Sequence, residues 1–228
     1  MGSENYIRES AKKAKRALKE YTLFNSVMIV IKDKVSDDIN LDNVFNTVNS
    51  RIAAHLAQEL DIIYIGQFPQ LKARNVESAF MNGAIFLSNE IVDDDTFIKS
   101  IIHELAHNVE KIYGREVYGD QKIIEEFISK RRQLQEILEG YNLHCDPRLY
   151  IHFDYNRIFD DFLYKTVGYD RLAQLTTKIF ISPYAATSLR EYFANGFEHY
   201  FVDENPKYLK SISPRLYSKI NSLTKMAD

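Results

Sequence analysis

ESAFMNGAIFLSNEIVDDDTFIKSIIHELAHNVEKIYG, residues 77 to 114, decides how the rest of the chain is read. Its first part, residues 77 to 90, is a hairpin. Asn82-Gly83 accepts the positive φ of a tight primed turn, and an apolar run stands on either side. Its second part, from Asp93 to Gly114, is a helix. Asp94 or Asp95 is expected to cap the start and Gly114 the end.

Outward from this stretch the two flanks differ. Towards the N-terminus, NSVMIVIKD (25–33) and DIIYIG (61–66) read as short β-branched strands. Between them LDNVFNTVNSRIAAHLAQEL (41–60) carries Val44, Phe45, Val48, Ile52, Leu56 and Leu60 at helical spacing. A polar, Lys-rich helix is expected over residues 5 to 21. Towards the C-terminus every segment reads as helix: 120–140, 155–165, 169–180, 187–202 and 214–225. Strands first and helices after make an α+β order rather than alternating βαβ units. The expectation is one domain over 1–228, with a small mixed sheet in residues 1–90 and a mostly helical part with inserted helices in 91–228.

Composition excludes several classes. The 228 residues are 45% apolar, enough for a real core. Net charge is −3 with acids and bases mixed, so no basic block points to nucleic acid. The lone Cys145 allows no internal disulfide, which suits a reducing compartment. No run spans a membrane, and the N-terminus has no apolar signal core. Position 6 is Tyr6, which rules against myristoylation at Gly2. The expected setting is the cytoplasm or the interior of a host cell, unless a leader was removed ahead of Met-Gly-Ser.

The chemistry lies in His103-Glu104-Leu105-Ala106-His107. Positions i and i+4 share a helix face, so both imidazoles can aim at one point. Neutral imidazole is a good ligand for Zn2+, and Glu104 is placed to act as general base on an attacking water. Ile98, Ile101 or Ile102, Leu105, Val109 and Ile112 form the opposite, apolar face that seats the helix on a core. A catalytic zinc usually has three protein ligands. The candidates for the third are Glu191, Glu198 and His199 on one downstream helix, His144 and Cys145 in NLHCDP, and His152. Taken singly, His144 and His152 read as loop histidines, His55 as a satisfied core histidine, and Cys145 as a thiol without a partner. Phe193, Phe197, Tyr200 and Phe201 read as core.

HELAH, PYAATSLREYFANGFEHYF and NPKYLKSISPRLYSKI together resemble the anthrax lethal factor-like zinc metallopeptidase domain, and more nearly the clostridial Pro-Pro endopeptidase family, both of the gluzincin type. The resemblance covers roughly residues 80–114 and 180–225. It implies a zincin-like fold, a peptide or protein substrate, Zn2+ held by His103, His107 and Glu191, Glu104 as base, and Tyr184, seven residues before Glu191, as the donor to the reacting carbonyl. Glu198 and His199 are then expected to lie away from the metal. The chain departs from the pattern where the family's second acid, one turn after the ligand Glu, is Asn195; this residue is expected to hydrogen-bond a ligand. The span from His107 to Glu191 is also longer, and its extra helices are expected to form a lid or substrate wall. AIFLS (84–88) stands where such peptidases place an exposed edge strand, to which an extended peptide can add. An inner strand is the alternative. The functional expectation is a zinc-dependent endopeptidase. The alternatives are an accessory zinc-binding protein of a phage or mobile element, and a zinc hydrolase acting on something other than a peptide.

Overall fold

The structure is a computed structural model and describes residues 21–203 and 206–226. The helix expected over residues 5 to 21 lies outside the described residues, apart from Tyr21, which opens the first strand. The chain is α+β, with a five-stranded mixed sheet followed by a mostly helical remainder. In sequence the strands are β1 (Tyr21–Leu23), β2 (Val27–Ile31), β3 (Ile62–Gly66), β4 (Ser78–Met81) and β5 (Ala84–Ser88). In space their order is β1-β2-β3-β5-β4. β2, β3 and β5 run parallel, while β1 and β4 are antiparallel edges. The strand AIFLS is therefore internal, and the edge on that side of the sheet is its hairpin partner β4. The hairpin itself forms as expected, with φ of 52° at Asn82 and 78° at Gly83.

Alternation sets the two faces of the sheet. Ile29, Ile63, Ile65, Ile85 and Leu87 enter the main core, which continues without a break to Leu223. Tyr64 and Phe86 point the other way and stack at 5.2 Å. Phe68 meets Phe86 edge-on at 5.1 Å, and with Leu71 and Ala79 makes a small second cluster. The helices α1 (Leu41–Arg51) and α2 (Pro69–Arg74) flank β3 in sequence, and α2 covers this second cluster. The apolar run 41–60 thus breaks after Arg51: Ile52 is extended, and a 3₁₀ turn over Ala54–Ala57 follows.

The main core lies between the sheet and the long helix α3 (Asp94–Tyr118). Asp93, rather than Asp94 or Asp95, caps it, accepting from Thr96 N at 2.7 Å. Asp94 is engaged elsewhere, by Asn40 N and Asn43 Nδ2 at the start of α1. Gly114 does not end the helix. The chain bends at Tyr113 (φ −106°, ψ 21°) and continues one more turn, with the Tyr113 hydroxyl donating to His55 O.

The remaining helices are α4 (Lys122–Gly140), α5 (Arg148–Ile151), α6 (Arg157–Asp161), α7 (Tyr169–Thr176), α8 (Leu189–Val202), α9 (Lys207–Ile212) and α10 (Pro214–Leu223). A π-helical stretch, Phe162–Val167, continues α6, and a 3₁₀ turn, Tyr184–Ala186, precedes α8. Among the described residues no helix is long and apolar enough to cross a membrane.

α8 is the hub of the helical part, lying between α3 and α10. Its closeness to α10 depends on Gly196. A Cβ there would stand 2.3 Å from Leu216 Cδ2, inside a fully buried contact. Gly196→Ala gains helix propensity of about 1 kcal/mol, but both Cγ and Cδ2 of the fully buried Leu216 stand in the way, which puts the overpacking cost at the upper end of about 1–3 kcal/mol and makes the net effect destabilising. Gly114 in α3 has open space around it, so Gly114→Ala should instead stabilise by about 0.5–1 kcal/mol. Urea unfolding of the two variants should show midpoints moving in opposite directions from wild type.

Candidate metal centre

α3 presents its apolar side to the core through Ile98, Ile101, Ile102, Leu105 and Val109, all buried. That anchoring fixes the opposite side, where the His103 and His107 rings stand 5.2 Å apart and nearly perpendicular. Glu191 comes from the first turn of α8. Ser188 caps that helix by accepting from Glu191 N at 3.1 Å, and Leu189, Phe193 and Phe197 bury its apolar face. Packed against α3, α8 delivers the carboxylate to both rings. His103 Nε2 lies 3.2 Å from Glu191 Oε2, and His107 Nε2 lies 3.7 Å from Glu191 Oε1.

These spacings fit a metal. Ligand atoms about 2.0–2.1 Å from a tetrahedral zinc ion stand about 3.3–3.4 Å apart, and each ring has one oxygen of Glu191 near that distance, His103 facing Oε2 and His107 facing Oε1. The three residues can offer ligand atoms all within 4.8 Å of one another. Glu191 Oε2 is buried, and the group that faces it is His103 Nε2 at 3.2 Å. A buried carboxylate oxygen is costly unless a cation faces it, a place that the protonated His103 ring or a metal ion can fill.

The surrounding charges are arranged about the same point. The other nitrogen of His103, Nδ1, lies 3.2 Å from Glu198 Oε2. Glu198 is outside the cluster of possible ligands, and it meets the back of one of their rings. On a helix, positions 191 and 198 share one face two turns apart, so the spacing could have shown it. Asn195 does not hydrogen-bond a ligand side chain. Its Oδ1 accepts from Ser182 Oγ at 2.6 Å and its Nδ2 donates to the Glu191 carbonyl at 2.8 Å, so it fastens the approach to α8. His107 Nδ1 accepts from Arg190 Nε at 3.0 Å, and Glu110 Oε2 stands 3.4 Å from that same Nε. Glu110 also accepts from the Tyr118 hydroxyl.

Glu104 is buried beside the histidines. One oxygen accepts from Ser78 Oγ at 2.7 Å and the other from Phe80 N at 2.6 Å. Both donors belong to β4, so the edge strand holds the carboxylate. Nothing in the sequence signalled Ser78, because its role depends on β4 lying against α3. Tyr184 sits in the 3₁₀ turn before α8, its ring edge-on to Tyr169 at 6.4 Å. Burial raises its pKa, and the charges of Glu191 and Asp160 raise it further, so the hydroxyl stays a neutral donor.

The other candidates fall elsewhere. His199 Nε2 pairs with Asp203 at 3.2 Å. His144 is exposed, and so is His152, whose Nδ1 lies 3.4 Å from the carbonyl of Asp154. His55 Nε2 lies 2.9 Å from Leu223 O, as a satisfied core histidine should. Burial raises the pKa of Cys145, against a nucleophilic role. The inserted helices flank the site. Phe153 O accepts from Leu189 N at 2.8 Å, and the fully buried Arg131 of α4 donates to Leu149 O and Thr187 O. Tyr155 and Tyr169 both donate to Asp160.

Comparison of the chain with protein-family models, with curated proteins and with solved structures finds no match.

Charge in the site predicts a pH dependence. Burial pushes the His103 imidazolium towards losing its proton. The contacts with Glu191 and Glu198, together with the charge of Glu104, outweigh burial and raise its pKa from 6.5 to about 10. In metal-free protein the protonated ring therefore adds stability that is fully present below pH 6.5 and is lost as pH rises through about 10. Thermal unfolding in chelator should show the midpoint falling between pH 7 and 10, with the slope reduced in His103→Gln. A metal competes for the same nitrogen, so calorimetry in buffers of different ionisation enthalpy should show release of about one proton per metal bound near pH 8.

Proposed function

We propose that the chain is a zinc-dependent endopeptidase on a zincin-like fold, with His103, His107 and Glu191 as the metal ligands and a peptide or protein as substrate. The observation that carries this reading is the convergence of those three side chains beside a buried Glu104. Two imidazoles and one carboxylate, with ligand atoms within 4.8 Å of one another, form a donor set suited to zinc, and it leaves a position free for water or substrate. When bound, zinc acts as a Lewis acid and lowers the pKa of a water towards 7.

The chain's own residues supply the rest. Glu104 accepts a proton from the attacking water and delivers it to the leaving amine. Ser78 and the Phe80 N–H orient the carboxylate while it waits. The Tyr184 hydroxyl donates a hydrogen bond to the oxyanion that forms at the scissile carbonyl. β4 pairs with β5 on one side only, so an extended peptide can add along its other edge once Glu104 gives up the Phe80 N–H. The inserted segment exposes Phe153, Tyr155, Ile158 and Tyr164.

One observation favours metal binding without turnover: both oxygens of Glu104 are already occupied by β4. The two readings separate cleanly. Metal analysis of the purified protein should give about one zinc per chain, lost in the His103→Ala/His107→Ala double variant. A peptide library should be cleaved by wild type. Glu104→Gln should keep its zinc and its fold and lose about 10²–10⁴-fold in turnover. Zinc retained by the double variant would defeat the ligand assignment. Zinc without cleavage of any library member would favour the non-catalytic reading.

A further inference from the structure

With His103 and His107 reaching the metal through Nε2, each ring is held in place by whatever meets its Nδ1. The two rings meet opposite partners. His107 Nδ1 faces a donor, Arg190 Nε, at 3.0 Å, with the carboxylate of Glu110 at 3.9 Å. His103 Nδ1 faces an acceptor, Glu198 Oε2, at 3.2 Å. An imidazole that offers Nε2 to a metal carries its proton on Nδ1, so it needs an acceptor there. A guanidinium has only donors. Of the two ligand rings, His103 alone already has its Nδ1 proton directed into a hydrogen bond with a carboxylate.

The acceptor also sits on the helix that brings Glu191. α8 therefore grips His103 at both ends, through Glu191 at Nε2 and through Glu198 two turns later at Nδ1. The position between them cannot do this, because the Asn195 amide is committed to Ser182 and to the Glu191 carbonyl. We propose that Glu198 is a positioning residue of the metal centre. It fixes the Nδ1–H tautomer and the ring plane of His103, so that the Nε2 lone pair is aimed at the ion before it arrives. The proposal rests on the zinc reading above and adds to it a residue outside the expected ligand set.

The test is zinc affinity, measured by competition with a chromogenic chelator, together with the imidazole N–H signals of the metal-loaded protein by NMR. Glu198→Ala should weaken zinc binding about 10–100-fold and lose the slowly exchanging His103 Nδ1–H signal. Glu198→Gln keeps an acceptor oxygen at the same reach and should recover most of the affinity and the signal. The Glu198 side chain is about one-quarter exposed, 27%, so both variants should fold, as circular dichroism of the metal-free forms will show. Zinc bound by Glu198→Ala as tightly as by wild type overturns the proposal and leaves the zinc reading standing. Equal losses in Ala and Gln overturn it as well, since a role in charge alone would not be rescued by Gln. A wild-type chain that binds no zinc defeats both. Cleavage is not a readout, so a failure of the peptidase assignment alone leaves this result interpretable.

Discussion

Four carboxylates, Glu104, Glu110, Glu191 and Glu198, crowd two partly buried imidazoles. Carboxylates so close, in a region with little water, repel one another and lose solvation. The cluster is tolerable only if positive charge enters it. Arg190 supplies some at its rim, and a proton on His103 supplies more. A divalent cation between the two Nε2 atoms and Glu191 would supply the most, in place of the proton that His103 directs at Glu191 Oε2. The strongest physical statement about the site is thus one of charge balance, and it holds whatever reaction the site performs.

Maintaining that cluster requires α3 and α8 to stay in register, and the rest of the helical part serves this end. α8 is fixed from three sides. Its apolar face lies on the core, Gly196 admits Leu216 of α10, and Asn195 ties its first turn to Ser182. The inserted segment is held by two buried cations on α4. Arg131 donates to Leu149 and Thr187 carbonyls and packs on the Phe159 ring at 4.0 Å. Lys130 donates to the Ile179 and Ile212 carbonyls, and burial draws its pKa down to about 8. Each uses positive charge to satisfy carbonyls that helix ends and turns leave open. The insert is therefore built into the frame that positions Glu191.

Much of this was legible in the sequence, for identifiable reasons. The hairpin rested on Asn82-Gly83, where turn chemistry is local, and the convergence of His103 and His107 followed from helical spacing alone. The resemblance pointed to Glu191, which the structure brings to the two histidines, and it carried no sign that Glu198 would meet His103 Nδ1. What failed was non-local. Whether AIFLS is an edge or an inner strand depends on where β3 pairs, and nothing within the hairpin encodes that. β1 is three residues long and turns through Phe24 and Asn25 at positive φ, with Asn49 of α1 accepting from Phe24 N. A phenylalanine in that conformation gives no turn signal. The cap expected at Asp94 or Asp95 falls one residue earlier, at Asp93, because Asp94 is drawn to the start of α1 and Asp93 is left to accept from Thr96 N. Ser78, Arg190 and Glu110 acquire their roles from the approach of other elements.

The order of the site's residues along the chain carries a kinetic meaning. Ser78, Phe80, His103, Glu104 and His107 all lie within one hairpin and the helix that follows it. These contacts span short loops and can form early, since closing a short loop costs little entropy. Glu191 stands 84 residues beyond His107, and it reaches the histidines only after α4, the insert and α8 have docked. A partly folded chain would hold His103, Glu104 and His107 without the carboxylate that completes the candidate metal cluster. Tight metal capture would then mark the last stage of folding, and chain released from synthesis before α8 has packed would bind the ion only weakly.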